Sequence, residues 1–194
     1  MDTLILATNS KGKLAELKTL LAPIQCIAQN QLHIPEAEET GLSFIENAII
    51  KARHASQHST YPALADDSGL VIDALNGRPG IYSARFSKNH ASDDDNIEKV
   101  LHLMEHVAPA NRQAYFYCAI ALVRYPDDPT PIIATGRLDG YITLTVQGEQ
   151  GFGYDPIFFL PAYHKTLAEL STEQKNSLSH RAKALQHLMT HLLD

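Results

Sequence analysis

An apolar run, Thr3-Leu4-Ile5-Leu6-Ala7, passes without a break into Thr8-Asn9-Ser10-Lys11-Gly12-Lys13, after which Leu14, Leu17, Leu20 and Leu21 recur at helical spacing as far as Pro23. A run this short and this apolar predicts a buried strand, and the leucine spacing predicts a helix that Pro23 stops. The loop between them therefore presents the free N–H groups and positive dipole end of a helix start. Any fold for this chain has to accommodate a buried strand feeding directly into a helix through a small, polar, twice-basic turn.

The rest of the chain supplies partners for that unit. Gln25 to Gln29 predicts a second strand, and Ser43 to Ser56 a helix opened by a capping box of Ser43 and Glu46. Ala63 to Ala65 and Leu70 to Ile72 are apolar runs flanking Asp66-Asp67-Ser68-Gly69, a tetrapeptide expected to turn between two strands. Leu75 to His90 is loop-like, with Asn76-Gly77 and Pro79-Gly80 as breakers. A helix starts at Ser92 and Asp93 to Asp95, whose acids suit the dipole, and carries Ile97, Val100, Leu101 and Met104. Arg112 to Arg124 and Pro131 to Leu138 predict a hairpin across Pro126-Asp127-Asp128-Pro129. The last helix runs from about Ser179 to Leu193, with Ala182, Leu185, Leu188 and Leu192 inward. Strand–helix units together with a hairpin mean an α/β (mixed α+β) fold, a mixed sheet with helices on its faces. No repeat or linker divides the 194 residues, so residues 1–194 are expected to form a single domain.

Composition narrows the function classes. The net charge is −6 with no Lys/Arg tract, which argues against general binding to nucleic acid or an anionic membrane, so an anionic ligand has to be held by local cations. No stretch approaches the roughly 20 apolar residues that cross a bilayer, and the N-terminus has no basic lead-in to a signal peptide. The two cysteines, Cys26 and Cys118, form no CxxC pair and fit a reducing cytosol.

Five segments could carry chemistry. Thr8 to Lys13 offer backbone amides, two ammonium groups and Gly12, over which an anion can approach; an ordinary solvated helix cap is the competing account, and the spacing is not that of a Walker A loop. Asp66 and Asp67, adjacent acids beside apolar runs, need a cation to stay ionised, for which a hard divalent ion such as magnesium serves; an Asx turn would also explain them. Glu36, Glu38 and Glu39 could provide a second metal carboxylate or simply a charged approach to a helix. Gly151-Phe152-Gly153-Tyr154-Asp155-Pro156 interleaves glycine with aromatics, as a flat ligand or a tight turn would require. Lys175 and Ser179-His180-Arg181 put basic groups at a helix start, where the dipole disfavours them, which hints at a bound anion or polar ligand; an exposed, solvated turn is the competing account. The His54/His58, His102/His106 and His187/His191 pairs lack a third ligand at recognisable spacing.

Taken together these segments are similar to the inosine triphosphate pyrophosphatase family, in its bacterial dITP/XTP branch. The resemblance rests on Ile5 to Lys13, Glu38 to Ala48, Ala65 to Leu70, Gly80 to Arg85, Gly151 to Phe158 and Lys175 to Ala182, in the family's order and across nearly the whole chain; Ser87 to Ala110 and Arg124 to Leu138 are variable. It implies an elongated mixed sheet in two lobes with a nucleotide cleft, a homodimer in the cytoplasm, and Mg2+-dependent cleavage between the α- and β-phosphates, with Mn2+ able to substitute. By motif, Thr8, Asn9, Ser10, Lys11, Gly12 and Lys13 hold the triphosphate, joined by Lys51. Asp67 is the catalytic carboxylate and a metal ligand, and Glu39 the second metal carboxylate. Ser68, Phe152, Gly153, Tyr154, Asp155, Lys175, His180 and Arg181 complete the nucleotide contacts. A pyrophosphatase for modified pyrimidine or other nucleotides, and a nucleotide-binding regulatory module, are the alternatives; Asp66, Asp67 and Glu39 weigh against the second, since a sensor has no use for spare acids.

Overall fold

The computed structural model describes residues 3–193, with side chains through His191. Strand β1 (Thr3–Leu6) leads to helix α1 (Lys11–Leu20), then β2 (Gln25–Ala28), α2 (Phe44–Ser59) and β3 (Ala63–Ile72). Helix α3 (Asp93–Leu103), strands β4 (Gln113–Val123), β5 (Ile132–Ile142), β6 (Phe158–Leu160) and β7 (Lys165–Thr166), and helices α4 (Thr172–Leu178) and α5 (His180–Leu193) follow. The seven strands form one sheet in the order β2-β1-β3-β4-β5-β6-β7. It is mixed: β1 pairs in parallel with β2 and β3, whereas β5 with β6 and β6 with β7 are antiparallel. The expected α/β class, a mixed sheet with helices, is therefore what the chain adopts.

The chain divides into two compact units, the first comprising residues 1–67, 118–136 and 181–194, the second residues 68–117 and 137–180. Each has its own core. In the first, Leu4 and Leu6 of β1, Leu64 of β3 and Ile120 and Leu122 of β4 pack with Leu17, Leu185 and Leu188 from α1 and α5. Burying each such leucine contributes about 1.5–3 kcal/mol. In the second, Leu70 and Ile72, Val100 and Met104, Phe116, Tyr154 and Phe158 form the cluster. Arg112, buried in that unit, donates to the carbonyls of Met104, Val107, Ile142 and Thr143, tying the end of α3 to the end of β5.

Two expectations about local structure need correction. Asp66 to Gly69 is not a turn: β3 runs through it unbroken for ten residues. A turn is the local solution to paired acids, and here cationic side chains far away in sequence supply the compensation instead. Between Leu75 and His90, residues Gly80–Arg85 form a 3-10 turn rather than open loop, and α4 is a helix that the sequence reading left out. Ala182, Leu185 and Leu188 face inward as expected, while Leu192 lies outside the described side chains. Among the described residues no helix is long and apolar enough to cross a membrane.

Candidate active site

In the first unit, β1 ends at Leu6 and Ser10 caps α1, its hydroxyl accepting from Lys13 N at 3.5 Å. Thr8 Oγ1 accepts from Ser10 N at 3.2 Å, and Asn9 Nδ2 donates to Glu36 Oε1 at 2.8 Å. Asn9, Ser10 and Lys11 are exposed, and Thr8, Gly12 and Lys13 half-buried, so the amides and ammonium groups of this helix start are reachable.

Lys13 Nζ lies 3.0 Å from Asp66 Oδ2. The same oxygen accepts from Nε and Nη2 of Arg181, at 3.2 Å each, while Arg181 Nη1 donates to Glu16 of α1. Asp66 and Arg181 are both buried. Burial alone would raise the Asp66 carboxyl, but Lys13, Arg181 and Lys51 outweigh it and hold it well below the usual carboxylate range.

One residue along β3, Asp67 has different company. Its Oδ1 accepts from Lys51 Nζ at 2.9 Å, and Lys51 also donates to Glu39 Oε1 at 3.1 Å. Asn47, one helical turn before Lys51 on α2, donates to Asp67 Oδ2 at 3.4 Å and accepts from Gly41 N at 2.9 Å. A Cβ at Gly41 would come within 2.7 Å of that Asn47 oxygen, so glycine permits this approach. Burial pushes the Asp67 carboxyl up, with Lys51 and Lys13 pulling it part of the way back. Burial alone would lower Lys51, but Asp67, Asp66 and Glu39 hold it charged. The neighbouring acids are thus driven apart, the Asp66 carboxyl downward and the Asp67 carboxyl upward. Among the described residues no group of three or more His, Cys, Asp or Glu is arranged around a metal position.

In the second unit, Phe152, Gly153, Tyr154 and Asp155 form a loop that its own acid organises. Asp155 Oδ2 accepts from Phe152 N at 2.9 Å and from Lys175 Nζ at 2.6 Å, and that ammonium stands 4.1 Å from the centre of the Phe152 ring. Gly151 is at φ +83, and a Cβ there would fall 2.1 Å from Asp155 Oδ2. Tyr154 is turned into the core with its hydroxyl donating to Ser83 O at 2.8 Å, and burial raises that phenol. Phe152 is therefore the half-exposed aromatic of the loop. His180 stacks on Phe116 with centroids 4.8 Å apart, and Ser68 is half-buried on β3.

The sequence-derived candidates thus divide between the two units, and within the second only Phe152, Asp155 and Lys175 are joined by the contacts described. Thr8 to Lys13, Glu39, Lys51, Asp67 and Arg181 belong to the first, and Ser68, Phe152 to Asp155, Lys175 and His180 to the second. Glu16 and Asn47, which the structure adds beside these candidates, were missed, as was Asp93, whose Oδ2 accepts from Gly153 N at 2.7 Å outside the groups that touch Asp67. Asn47 had a legible signal, its four-residue spacing from Lys51 on a helix that points at the acids; Glu16 and Asp93 had none.

The profile of the Ham1 family matches residues 4–191. The chain is 57% identical over 194 residues to a dITP/XTP pyrophosphatase of Legionella pneumophila, with 100% of both chains covered. It is 50% identical over 191 residues to one of Salmonella typhimurium, with 97% of each covered. Among solved structures, a HAM1 protein from Coxiella burnetii superposes with a TM-score of 0.91 at 46% identity, covering 100% of this chain and 99% of that one. The Staphylococcus aureus Ham1 protein gives a TM-score of 0.87 at 40% identity over 98% of each.

Proposed function

This chain belongs to the Ham1 family, and we propose that it hydrolyses the deaminated purine nucleotides dITP, ITP and XTP to the nucleoside monophosphate and pyrophosphate. The observation that carries the reading is Lys51 Nζ held between Asp67 Oδ1 and Glu39 Oε1, at 2.9 and 3.1 Å, beside a second acid–lysine pair of Asp66 and Lys13 at 3.0 Å. Acids and ammonium groups gathered in this way suit a ligand that is both strongly anionic and metal-bound. A triphosphate, with about four negative charges, is such a ligand.

The donor chemistry suits magnesium. Glu39 and Asp67 bring hard oxygens to the same Lys51 ammonium, and Mg2+ takes one or two carboxylates and completes its shell with water and phosphate oxygens. When bound by these two residues, Mg2+, or Mn2+ in its place, supplies charge stabilisation at the phosphoryl oxygens and a lowered pKa for the attacking water. The amides of Thr8 to Lys13, with the Lys13 and Lys51 ammonium groups, hold the triphosphate. Asp67, its carboxyl raised by burial, takes the proton of the water. The water oxygen bonds to the α-phosphorus as the bond from that phosphorus to the α,β-bridging oxygen breaks, and pyrophosphate leaves. No covalent enzyme intermediate is needed. Arg181 serves this chemistry through Asp66, whose position it fixes.

In the second unit, Phe152 supplies a stacking face for a purine base, with Ser68, Gly153, Asp155, Lys175 and His180 as the further contacts. Tyr154 contributes through its backbone, its ring being in the core. The working form is a cytoplasmic homodimer; exposed Leu144 and Val146 are the kind of side chains such an association covers. Pyrophosphate release from dITP, ITP, XTP, ATP and GTP in the presence of Mg2+ tests the function. Turnover of the three deaminated nucleotides well above ATP and GTP is expected, and equal rates on all five, or none on any, would overturn it.

A further inference from the structure

The acidic first turn of α3 has an ordinary explanation in the helix dipole, and two of its three acids need nothing more. Asp95 closes the capping box, accepting from Ser92 N and Oγ at 2.9 and 2.8 Å, and Asp94 is exposed. Asp93 does something else. Its Oδ2 accepts from the backbone N–H of Gly153, sixty residues further on, at 2.7 Å. Gly153 has φ +61 and no atom within 4 Å of where its Cβ would lie, so it is the backbone angle that calls for glycine there. The amide of that left-handed residue is what Asp93 captures.

The same helical turn reaches the loop a second way. Asn96, three residues on, accepts from Ser87 N at 2.8 Å and donates to Ala84 O at 3.3 Å. It thereby holds the segment carrying Ser83, whose carbonyl receives the Tyr154 hydroxyl. Arg112 fixes the far end of α3. The helix is thus anchored at both ends, and its first turn braces the loop at Gly153 directly and at Tyr154 through Ser83.

We propose that Asp93 is a positioning residue for nucleotide binding, holding Gly153 so that the adjacent Phe152 ring is set for the purine before the nucleotide arrives. The proposal rests on the reading of Phe152 as the stacking face. Asp93 lies outside the segments that carry the family resemblance, and its hydrogen bond goes to Gly153 rather than to any group that acts on phosphorus. Its loss should therefore raise the cost of ordering the loop on binding and leave the chemical step alone.

The test compares Asp93→Ala, Asp93→Asn and Asp94→Ala. Asp93→Ala should raise KM for ITP about three- to tenfold, the scale of one hydrogen bond, with kcat within about twofold. Asp93→Asn, whose amide oxygen can still accept, should recover part of that change, and it also serves if the alanine variant fails to fold. Asp94→Ala, which alters the same helix dipole, should leave KM unchanged. Hydrogen exchange at the Gly153 amide, followed by NMR without nucleotide, should accelerate in Asp93→Ala only. An unchanged KM, an unchanged exchange rate, or a fall in kcat without a rise in KM overturns the proposal. Failure of the parent protein to release pyrophosphate from ITP would instead overturn the functional reading, and the exchange measurement, which needs no substrate, would still decide what Asp93 does.

Discussion

Arg181 grips a single oxygen of Asp66 with two of its nitrogens, each 3.2 Å away, and spends a third on Glu16. Arg181 is 1% exposed, and Asp66 is 0% exposed. A buried ion cluster contributes little net stability when complete, but breaking it is costly, because the remaining charges stay buried and uncompensated.

Arg181→Ala should therefore destabilise the protein by about 3–5 kcal/mol, visible as a Tm lower by roughly 10 °C in calorimetry. If Arg181 serves turnover only through its contact with Asp66, as proposed, turnover of ITP and ATP should fall by the same factor in whatever protein remains folded. A changed ITP/ATP ratio would mean that the guanidinium reads the base directly.

Asp67→Asn should lower kcat on ITP at least about a hundredfold, the scale of losing a general base. The carboxamide keeps one oxygen for Lys51, so the fold should survive, which circular dichroism can check. Near-normal turnover in the variant would remove Asp67 from the mechanism.

Activity should require Mg2+, be partly restored by Mn2+ and vanish in EDTA, since Glu39 and Asp67 are hard oxygen donors. Glu39→Gln should shift the Mg2+ dependence to higher concentrations more than it shifts KM for nucleotide. Full turnover in EDTA would exclude the metal.

Asp128 offers a test of pH dependence away from the chemistry. Its buried carboxylate accepts from Arg124 N, Nε and Nη2 and from Thr130 N, and the Arg124 side chain foremost holds it well below the usual carboxylate range. A depressed folded-state pKa gives stability that is present above the unfolded value, near 3.9, and is lost as pH falls through the folded one. Asp128→Asn should thus be less stable than the parent at pH 7, with the gap closing in urea titrations below about pH 4. A gap constant down to pH 2 would show that the charge of Asp128 contributes nothing.

Most of the fold was legible because periodicity is local: β1, α1, α2, α3, the β4 and β5 strands and α5 all follow from the spacing of apolar residues. β3 was misjudged because its two acids are compensated by Lys13, Lys51 and Arg181, the last 115 residues away, and no local window contains that information. α4 was missed because seven mostly polar residues carry no apolar stripe, although Ser171 and Gln174 form a legible capping box. At the candidate site, motif picked out Glu39 and Asp67, which the structure brings together on Lys51. The divergence of Asp66 from Asp67, and the hold of Asp93 on Gly153, exist only in three dimensions.

Gly151 bears on how this protein tolerates change. Any side chain there would contend with the Asp155 oxygen that Phe152 N and Lys175 both use, at a backbone angle that L residues resist. In a saturation mutagenesis screen the position should tolerate almost nothing, scoring beside Asp67 although it has no functional group of its own. Drift in the lineage is closed at such a site by the room it must leave empty.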